Sequence, residues 1–473
     1  MNKIIGRENE IKQLEQYLVS GKAEFVVVYG RRRVGKTFLI REFFNNKFAF
    51  YFSGAENKSK QGQLNNFTKA LRLFSNKKYP KVKTWDDAFF QLREYSSSIK
   101  TKRRKVIFID EMPWLDTQRS GFLSAFEYFW NTFASADSNI FLVACGSATS
   151  WMLDKLLKNR GGLHNRVTRQ IALKPFTLKE TEKFLLRKKI SYDHLQIAEC
   201  YMIMGGIPYY LEQIIKENSL YQNVDNLFFK KDAILNNEFS VLYSSLFKKS
   251  DNYVKIIKAL DRKKKGLTRE EIIEITQFSD GGSLTKMLDE LEQCDFIRVY
   301  NHFGKKNKNK IYQLIDFYSL FYLNFIQNAK NAGDNYWSSL IDNQRHKIWS
   351  GFAFERLCFS HINQIKRKLG ISGVLTCIYS WHSSNPKNNV QIDLVIDRND
   401  RIINLCEIKF SNKIFAINKE INVALREQKA VFLEETGANK AIHTTMITSF
   451  GVKHNSYWNN IQSEITLDDL FEN

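Results

Sequence analysis

The chain has 473 residues, of which 43% are hydrophobic and 26% charged, so it is too long for one core and has the composition of a globular protein with several domains. Only 5 prolines and no low-complexity tract occur, which argues against long disordered linkers. The formal net charge of +21 favours a polyanionic partner, nucleic acid first, although a general compositional bias toward Lys and Asn is the alternative explanation.

A buried strand, a glycine-rich loop and a helix follow one another near the start of the chain. Residues 24–29 (EFVVVY) predict the strand, residues 30–37 (GRRRVGKT) fit the phosphate-binding loop pattern, and residues 38–44 predict the helix. In such a loop Lys36 reaches the β- and γ-phosphates and Thr37 ligates Mg²⁺. The sequence therefore predicts an ATP site, with contacts from Gly30, Arg31, Arg32, Arg33, Val34, Gly35, Lys36, Thr37 and Phe38.

Two carboxylates end a second apolar strand, at residues 105–111 (KVIFIDE). In this Walker B pattern, Asp110 is expected to hold Mg²⁺ through water, and Glu111 to orient or deprotonate the attacking water. A third strand, at residues 140–145, is followed by Gly146 and Ser147. Ser147 is expected to sense the γ-phosphate; capping of the next helix by its hydroxyl is the alternative.

Residues 251–314 predict three helices and a β-hairpin. The helices are expected at 253–260, after Thr268 as the N-cap of a capping box with Glu271, and at 281–291, and the hairpin strands at 296–300 and 310–314. This order is typical of a winged helix-turn-helix, in which the third helix reads DNA. Lys286 is nearly the only basic residue of that helix, so sequence-specific base readout is not expected.

Basic residues surround this segment. They are residues 262–265 (RKKK) and the lysines of the wing tip, Lys305, Lys306, Lys308 and Lys310. These residues are expected to contact DNA phosphates. The alternative is that the segment is only an arm of a conformational switch and packs on the helical lid.

Three carboxylates and a lysine in the last part of the chain form a recognisable set. They are Glu355 in a helix that begins at Trp349, Asp393 in a strand at 391–396, and Glu407 with Lys409 in a strand at 402–410. Because Glu407 and Lys409 are two residues apart, they share one face of their strand. The set resembles that of PD-(D/E)XK nucleases, although the proline of their motif is absent before Asp393.

This set suits metal-dependent phosphodiester hydrolysis. Asp393, Glu407 and the carbonyl of Ile408 are expected to hold Mg²⁺ or Mn²⁺, and Glu355 to complete the metal shell. Lys409 is expected to position or activate a water and to stabilise the developing charge. The alternatives are an inactive nuclease fold used for binding, and a salt-bridged strand surface without a function in catalysis.

Five segments occur in a characteristic order along the chain. They are residues 4–8 (IIGRE), 30–37, 108–111 (FIDE), 146–147 and 205–208 (GGIP). Together they resemble the archaeal-type (MNS clade) ATPases of the STAND class, which are relatives of AAA+ proteins and often carry a C-terminal PD-(D/E)XK domain. The resemblance implies adenine contacts from Ile5 and Gly6 and a nucleotide contact from Pro208 in a helical lid. It also implies an arginine near the phosphates at Arg166, with Arg160 as a weaker candidate; a surface helix charge is the alternative for Arg166.

The predicted fold is a multidomain α/β chain. Its predicted domains are a P-loop ATPase core with a parallel sheet at 1–175, a helical lid at 176–248, a winged helix-turn-helix at 249–316, and a helical linker plus restriction-endonuclease-like α/β domain at 317–473. The predicted function is an ATP-driven switch that controls cleavage of nucleic acid, expected to be double-stranded DNA, with Mg²⁺ as cofactor. The rival is an ATP-dependent DNA-binding or scaffolding switch with an inactive nuclease fold. Assembly into a homo-oligomer is left open.

The six cysteines form no CxxC pair and lie mostly in apolar runs, which predicts buried thiols in a reducing cytosol. The first residues are charged and lack the apolar stretch of a signal peptide. No run of about 18 apolar residues occurs, so no membrane span is predicted and a cytoplasmic location is expected.

Overall fold

The computed structural model describes residues 4–158, 161–163, 165–301, 303, 310–329, 333, 335–383, 385 and 390–472. The chain divides into two compact units, Met1–Pro175 and Phe176–Asn473. Arg160 and the wing-tip residues Lys305, Lys306 and Lys308 lie outside the described residues. Within the part of the chain that is described, no helix is both long and apolar enough to cross a membrane.

The first unit is built on a parallel sheet. Its strands are β1 (Glu24–Tyr29), β2 (Phe50–Ser53), β3 (Lys105–Asp110), β4 (Ile140–Gly146) and β5 (Arg169–Ala172), and its helices are α1 (Glu8–Leu18), α2 (Lys36–Phe43), α3 (Lys60–Ser75), α4 (Trp85–Ser98), α5 (Phe122–Thr132) and α6 (Thr149–Met152). The strand order is β2-β3-β4-β1-β5, and every neighbouring pair is parallel. Because parallel strands end at one edge of the sheet, the loop after β1 and the ends of β3 and β4 lie together there.

The strands of this sheet are apolar because they lie in the interior. All residues of β3 and β4 are buried, as are all residues of β1 except Tyr29. Such unbroken burial is typical of parallel strands covered on both faces. The three strands predicted from the sequence are present, with ends that differ from the predicted ones by at most one residue.

The second unit contains many shorter elements. Its helices are α7 (Leu178–Arg187), α8 (His194–Met204), α9 (Pro208–Glu212), α10 (Leu220–Val224), α11 (Glu238–Leu246), α12 (Ser250–Arg262), α13 (Arg269–Thr276), α14 (Gly282–Gln293), α15 (Phe317–Phe321), α16 (Gln344–Ser360), α17 (Ile362–Lys368) and α18 (Lys419–Thr436). Its strands are β6 (Leu267–Thr268), β7 (Ile297–Asn301), β8 (Lys310–Leu314), β9 (Thr376–His382), β10 (Gln391–Arg398), β11 (Ile402–Lys409), β12 (Ala441–Thr448) and β13 (Ser463–Thr466).

Helices α12 to α14 and strands β6 to β8 form what we call the helix–hairpin segment (residues 250–314). Its strands lie in the order β6-β8-β7 and are antiparallel. Helix α13 starts with the capping box expected from the sequence: the Thr268 hydroxyl accepts from the Glu271 N–H, and the Glu271 carboxylate accepts from the Thr268 N–H. These two bonds satisfy backbone donors that the helix itself cannot pair.

The C-terminal sheet has the order β13-β12-β11-β10-β9. Strands β9, β10 and β11 are antiparallel, whereas β11, β12 and β13 are parallel, with α18 connecting β11 to β12. Helix α16, which carries Glu355, begins at Gln344 rather than at Trp349, because Asn343 caps it by accepting from the Arg345 N–H. Strand β9 has no counterpart among the predicted strands; Trp381 is its only buried residue, so its sequence lacks a clear apolar alternation.

Candidate nucleotide and carboxylate sites

Lys36 occupies the centre of the loop after β1. Its ammonium group is buried and donates to the carbonyl oxygens of Gly30 and Arg31 at 2.8 and 2.9 Å and to the Ser147 hydroxyl at 3.1 Å. Lysine at the first position of α2 can therefore be held by the loop that precedes it. The same ammonium group can exchange these acceptors for phosphate oxygens when an anion enters the loop.

Backbone conformation explains the two glycines of the loop. Gly30 has a φ of 147°, and a Cβ at this position would lie 2.2 Å from the carbonyl oxygen of Leu173. Gly35 has a φ of 92°, but a Cβ there would meet no heavy atom within 4 Å. The first glycine is required by close approach of the backbone after β5, whereas the second leaves open space at the N-terminus of α2, where anions bind favourably.

Asp110 lies at the end of β3 and is almost fully buried. Its Oδ2 accepts from the Thr37 hydroxyl at 2.8 Å, and its Oδ1 accepts from the Glu111 N–H at 3.0 Å. Burial, and after it the neighbouring carboxylate of Glu111, raise the pKa of Asp110 to about 6. Thr37 and Asp110 thus place two oxygen atoms side by side, which are the ligand type that Mg²⁺ prefers.

Glu111 and Ser147 form a bonded pair. The Ser147 hydroxyl donates to Glu111 Oε1 at 2.7 Å, and the Ser147 N–H donates to Oε2 at 3.2 Å. Because the same hydroxyl accepts from Lys36, Ser147 connects the lysine of the loop to the carboxylate after β3. The predicted role of Ser147 as a γ-phosphate sensor stays a prediction, but its position between these two groups favours that role.

Arg7 is a part of the site that the residue predictions omitted. It is buried, has a φ of 63°, and donates from Nη2 to the carbonyl oxygen of Val34 at 3.1 Å. The segment that contains Gly6 is therefore attached directly to the glycine-rich loop. The sequence does contain a signal for Arg7, because this residue lies within residues 4–8, the first segment of the family resemblance.

The remaining predicted nucleotide contacts differ in exposure. Arg31 and Val34 are buried, Ile5, Arg32 and Arg33 are half-buried, and Phe38 and Arg166 are exposed. Pro208 begins α9 in the second unit. The hydrogen bonds described above join Lys36, Thr37, Asp110, Glu111 and Ser147 into one site, whereas the roles of Arg166 and Pro208 stay predictions.

These features fit a nucleoside triphosphate with Mg²⁺. The buried Lys36 ammonium group and the open space beside Gly35 suit phosphate oxygens, and the oxygens of Thr37 and Asp110 suit the metal. The Glu111 carboxylate lies next to this pair of oxygens and is positioned by Ser147.

The second site lies on β10 and β11 of the C-terminal sheet. Lys409 Nζ lies 2.6 Å from Glu407 Oε1, so the two side chains that the sequence placed on one face form an ion pair. Asp393 Oδ2 accepts from the Ile408 N–H at 3.3 Å, which joins the neighbouring strand to the same cluster. Gln428 of α18, which the sequence did not indicate, donates to Glu407 Oε2 at 3.0 Å.

The carboxylates of this cluster influence one another. Burial, then the charges of Glu407 and Glu355, raise the pKa of Asp393 to about 8. Burial also raises the pKa of Glu355, against the effect of the Arg356 and Lys409 cations. Although burial opposes its charge, the Glu407 carboxylate and the other two acidic groups raise the pKa of Lys409. Crowded carboxylates of this kind gain from a nearby cation.

Within the described residues, no group of three or more His, Cys, Asp or Glu side chains is arranged to hold a metal ion. The predicted role of Glu355 in completing a metal shell with Asp393 and Glu407 stays a prediction. Two carboxylates and a backbone carbonyl remain as a donor set of the type that binds Mg²⁺ or Mn²⁺, and one oxygen of Glu407 is engaged by Lys409.

Known proteins match this chain in its first part and along its length. Residues 4–214 match the family described as an ATPase domain predominantly from Archaea. An uncharacterized protein of Methanocaldococcus jannaschii is 25% identical over 439 residues, 91% of this chain and 93% of that protein. An uncharacterized ATP-binding protein of the same organism is 46% identical over 43 residues, 9% of this chain and 73% of that protein.

Among solved structures, the Walker-type ATPase of Pyrococcus abyssi matches with a TM-score of 0.48 and 17% identity, over 68% of this chain and 96% of that one. The family match includes the glycine-rich loop, Asp110, Glu111, Ser147 and the 205–208 turn. Residues 4–214 are therefore an ATPase domain similar to those found predominantly in Archaea.

Proposed function

We propose that this protein is a STAND-type switch that binds and hydrolyses ATP and thereby controls the engagement and cleavage of DNA by its C-terminal part. The observation that carries the proposal is the convergence of Asp393, Glu407 and Lys409 on adjacent strands, near Glu355 of α16, in a chain that also contains an ATPase domain. The full-length alignment with the Methanocaldococcus jannaschii relative supports a common arrangement of both units in one chain.

In the nucleotide site, each bonded residue has a role in phosphoryl transfer. Lys36 would leave its carbonyl acceptors for the β- and γ-phosphate oxygens, and Thr37 and Asp110 would hold the metal, which would supply charge neutralisation. Glu111 orients a water and accepts its proton. The Ser147 hydroxyl, which bonds both Lys36 and Glu111, is the group through which loss of the γ-phosphate changes this network.

In the carboxylate site, the reaction is hydrolysis of a phosphodiester. The oxygen of a water forms a new bond to phosphorus, the bond to one ester oxygen breaks, and that oxygen takes up a proton. Asp393 and Glu407 with the Ile408 carbonyl would hold a divalent cation, which supplies a Lewis acid for the phosphoryl oxygen. Lys409 moves from Glu407 to the attacking water. The negative charge of Glu355 stabilises the charged form of the Lys409 side chain.

The helix–hairpin segment is proposed as a winged helix that contacts DNA. Three helices followed by an antiparallel hairpin support this assignment. Of the basic run 262–265, Lys263 pairs with Glu271 and Lys264 with Asp261, so these two are less available to DNA than the sequence suggested. The exposed Arg262 and Lys310 remain for phosphate contacts on the outside of the segment.

The test is cleavage of supercoiled, linear and single-stranded DNA with Mg²⁺ or Mn²⁺, with and without ATP. Lys409→Ala should abolish cleavage, whereas Lys413→Ala, which removes an exposed lysine four residues later, should not. Lys36→Ala should keep the carboxylate site intact but change the dependence of cleavage on ATP. Identical cleavage in ATP, ADP and nucleotide-free samples would refute nucleotide control.

The second candidate is an ATP-dependent DNA-binding switch whose nuclease fold is inactive. It is favoured by the Lys409–Glu407 ion pair, which engages one of the metal-binding carboxylates, and by the missing proline before Asp393. Wild-type protein that hydrolyses ATP and binds DNA, but cleaves none of the substrates with either metal, would establish this candidate instead.

A further inference from the structure

A cavity of about 280 Å³ in the second unit has walls from two different segments of the chain. One wall belongs to the C-terminal part and contains Glu355 and Asp393 of the carboxylate site. The opposite wall belongs to the helix–hairpin segment and contains Lys265, Arg298 and Tyr300. Acidic groups therefore face basic groups across a space that a small part of a polymer can enter.

The two walls are held together by specific contacts. Phe303, beside the hairpin, packs against the rings of Tyr379 and Phe432 with centroid distances of 5.4 and 5.0 Å. The guanidinium carbon of Arg298 lies 3.3 Å from the ring centroid of Phe359 on α16. These contacts connect the hairpin to both the C-terminal sheet and the helix that carries Glu355, so the cavity is a defined feature of the unit.

The backbone of the loop that carries Lys265 is also fixed from both sides. The Tyr300 hydroxyl donates to the carbonyl oxygen of Lys265 at 2.6 Å, and Gln313 Nε2 donates to that of Lys264 at 2.8 Å. Arg356 of α16 donates to the same Lys264 carbonyl. A surface lysine of a mobile loop would have no defined position, whereas the backbone at Lys265 is anchored next to the cavity.

Neighbouring lysines of this loop have different environments. Lys265 is exposed to solvent, lines the cavity and lies within the electrostatic influence of Asp393 and Glu355. The Lys264 ammonium group instead pairs with Asp261 and lines a separate cavity with Asn324 and Arg345. The two lysines therefore form a natural matched pair: adjacent in sequence, equal in charge, and different in the cavity they face.

We infer that Lys265 binds the phosphodiester backbone of a nucleic-acid strand at the carboxylate site. Residues of both the helix–hairpin segment and the C-terminal sheet then form the binding site. The physical reason is charge balance. A phosphodiester approaching Glu355, Asp393 and Glu407 is repelled, and Lys409 is already paired with Glu407. A lysine on the opposite wall offsets this repulsion and holds the phosphate from the side away from the carboxylates.

Arg298 supports the same ligand chemistry. It lines the wall that carries Lys265, and its Nε has no hydrogen-bond acceptor among the described residues. A guanidinium donor beside a lysine is an arrangement suited to phosphate oxygens. The inference rests on the proposed function for the identity of the site, but it concerns binding and can be measured without cleavage.

The experiment measures binding of a fluorescein-labelled double-stranded oligonucleotide to the full chain by fluorescence anisotropy, in Ca²⁺ and in EDTA, at several salt concentrations. Lys265→Met keeps the length of the side chain and removes its charge. It should weaken binding about tenfold, as for one charge-assisted hydrogen bond, and lower the salt slope by about one. Lys265→Arg should restore binding to within about threefold, because it returns a phosphate donor.

Lys264→Met is the matched control and should bind as the wild type does. Equal weakening by Lys264→Met and Lys265→Met, or no weakening by Lys265→Met, would overturn the inference, as would a wild type that does not bind the oligonucleotide. Cleavage is followed in parallel with Mg²⁺. A wild type that binds but does not cleave would refute the proposed nuclease function and leave the comparison of binding between the variants valid.

Discussion

Replacing Asp110 by Asn should stabilise the nucleotide-free protein at neutral pH while it removes Mg–ATP turnover. The Asp110 carboxylate is 3% exposed and lies beside a second carboxylate, Glu111, without a cation paired to it in the bonds described above. Burying this charge costs free energy, which the attraction of a bound metal cation would offset. Asn keeps the shape of the side chain and one acceptor oxygen for the bond from the Glu111 N–H, while its NH2 group can donate to the Thr37 hydroxyl.

The magnitude follows from the pKa of Asp110. The difference between its ordinary value of 3.8 and about 6 in the folded protein corresponds to about 3 kcal/mol of unfolding free energy. Between these two pH values the folded state binds more protons than the unfolded state, so the unfolding free energy falls as the pH rises through this window. The unfolding free energy of the wild type remains lower above pH 6. The Asn substitution removes this loss because its side chain carries no charge. After allowing for one weakened hydrogen bond, we expect a gain of about 2 kcal/mol and about 4 to 8 °C at neutral pH.

The assay is scanning calorimetry of the full chain in EDTA, after removal of nucleotide, at pH 4 and at pH 7.5. The relevant endotherm is the one that Mg–ATP shifts in the wild type. The Asn variant should unfold at a higher temperature than the wild type at pH 7.5, should approach it at pH 4, and should not respond to Mg–ATP. A variant no more stable than the wild type at pH 7.5 would refute the reasoning.

Asp137→Asn is the control of opposite sign in the same unit. Although burial acts in the other direction, hydrogen bonds from the Asn139 N–H and from Lys105 lower the pKa of Asp137. Lys105 Nζ lies 3.1 Å from Asp137 Oδ2, so this carboxylate gains from being charged. The control should therefore be less stable than the wild type at pH 7.5, where Asp110→Asn is more stable.

Three further substitutions follow from contacts in the two units. Gly30→Ala should lower the thermal midpoint by several degrees and abolish ATP binding, because its Cβ would lie 2.2 Å from the Leu173 carbonyl oxygen; calorimetry and nucleotide titration measure both effects. Thr268→Ala should cost about 1 kcal/mol through loss of a helix cap, and an unchanged thermal midpoint would contradict this. His361→Ala should speed hydrogen exchange of the Leu178 amide, which donates to His361 Nε2 at 3.0 Å. Since burial lowers the pKa of His361 to about 4 from 6.5, this histidine should make the second unit more stable as the pH rises between these values, and the variant should lose that dependence in calorimetric scans.

The nucleotide site could be located from the sequence because its parts are local. The glycines, Lys36 and Thr37 lie within one loop and the start of one helix, and the apolar runs of β1, β3 and β4 are buried on both faces. Parallel strands then bring their ends together without further information. The bond pattern could not be predicted: Ser147 contacts both Lys36 and Glu111 because β4 lies between β1 and β3, which no local pattern specifies.

The carboxylate site, too, could be predicted from the sequence only in part. The spacing of Glu407 and Lys409 gave their shared face, and the ion pair is present. Gln428 was not indicated, because it reaches the site from α18 across a connection that carries no motif. The position of Lys265 in the same cavity as Asp393 was also not indicated. The sequence shows a run of basic residues, whereas their separate environments depend on side chains from distant segments, such as Tyr300 and Arg356.

A chain of hydrogen bonds connects the 205–208 turn to the helix of the carboxylate site, and it would give the proposed ATP control a physical basis. The Phe176 N–H donates to the Gly206 carbonyl at 2.8 Å, and the Tyr201 hydroxyl donates to the Phe176 carbonyl at 2.7 Å. Two residues later, the Leu178 N–H donates to His361 Nε2, so the other ring nitrogen of His361 must carry the proton that bonds the Leu357 carbonyl at 2.9 Å. Leu357 belongs to α16 and lies in the same helical turn as Glu355 and Arg356, which precede it directly.

Because His361 is buried and neutral, replacing its hydrogen bonds to Leu178 and Leu357 by bonds to water would cost free energy. A displacement of the turn must therefore move α16 with it or break at least one buried bond. Arg356 of α16 in turn holds the Lys264 carbonyl beside Lys265, and Arg298 rests on Phe359 of the same helix. Movement of α16 would thus change both walls of the cavity together, which is the property that a nucleotide-controlled site for a phosphodiester requires.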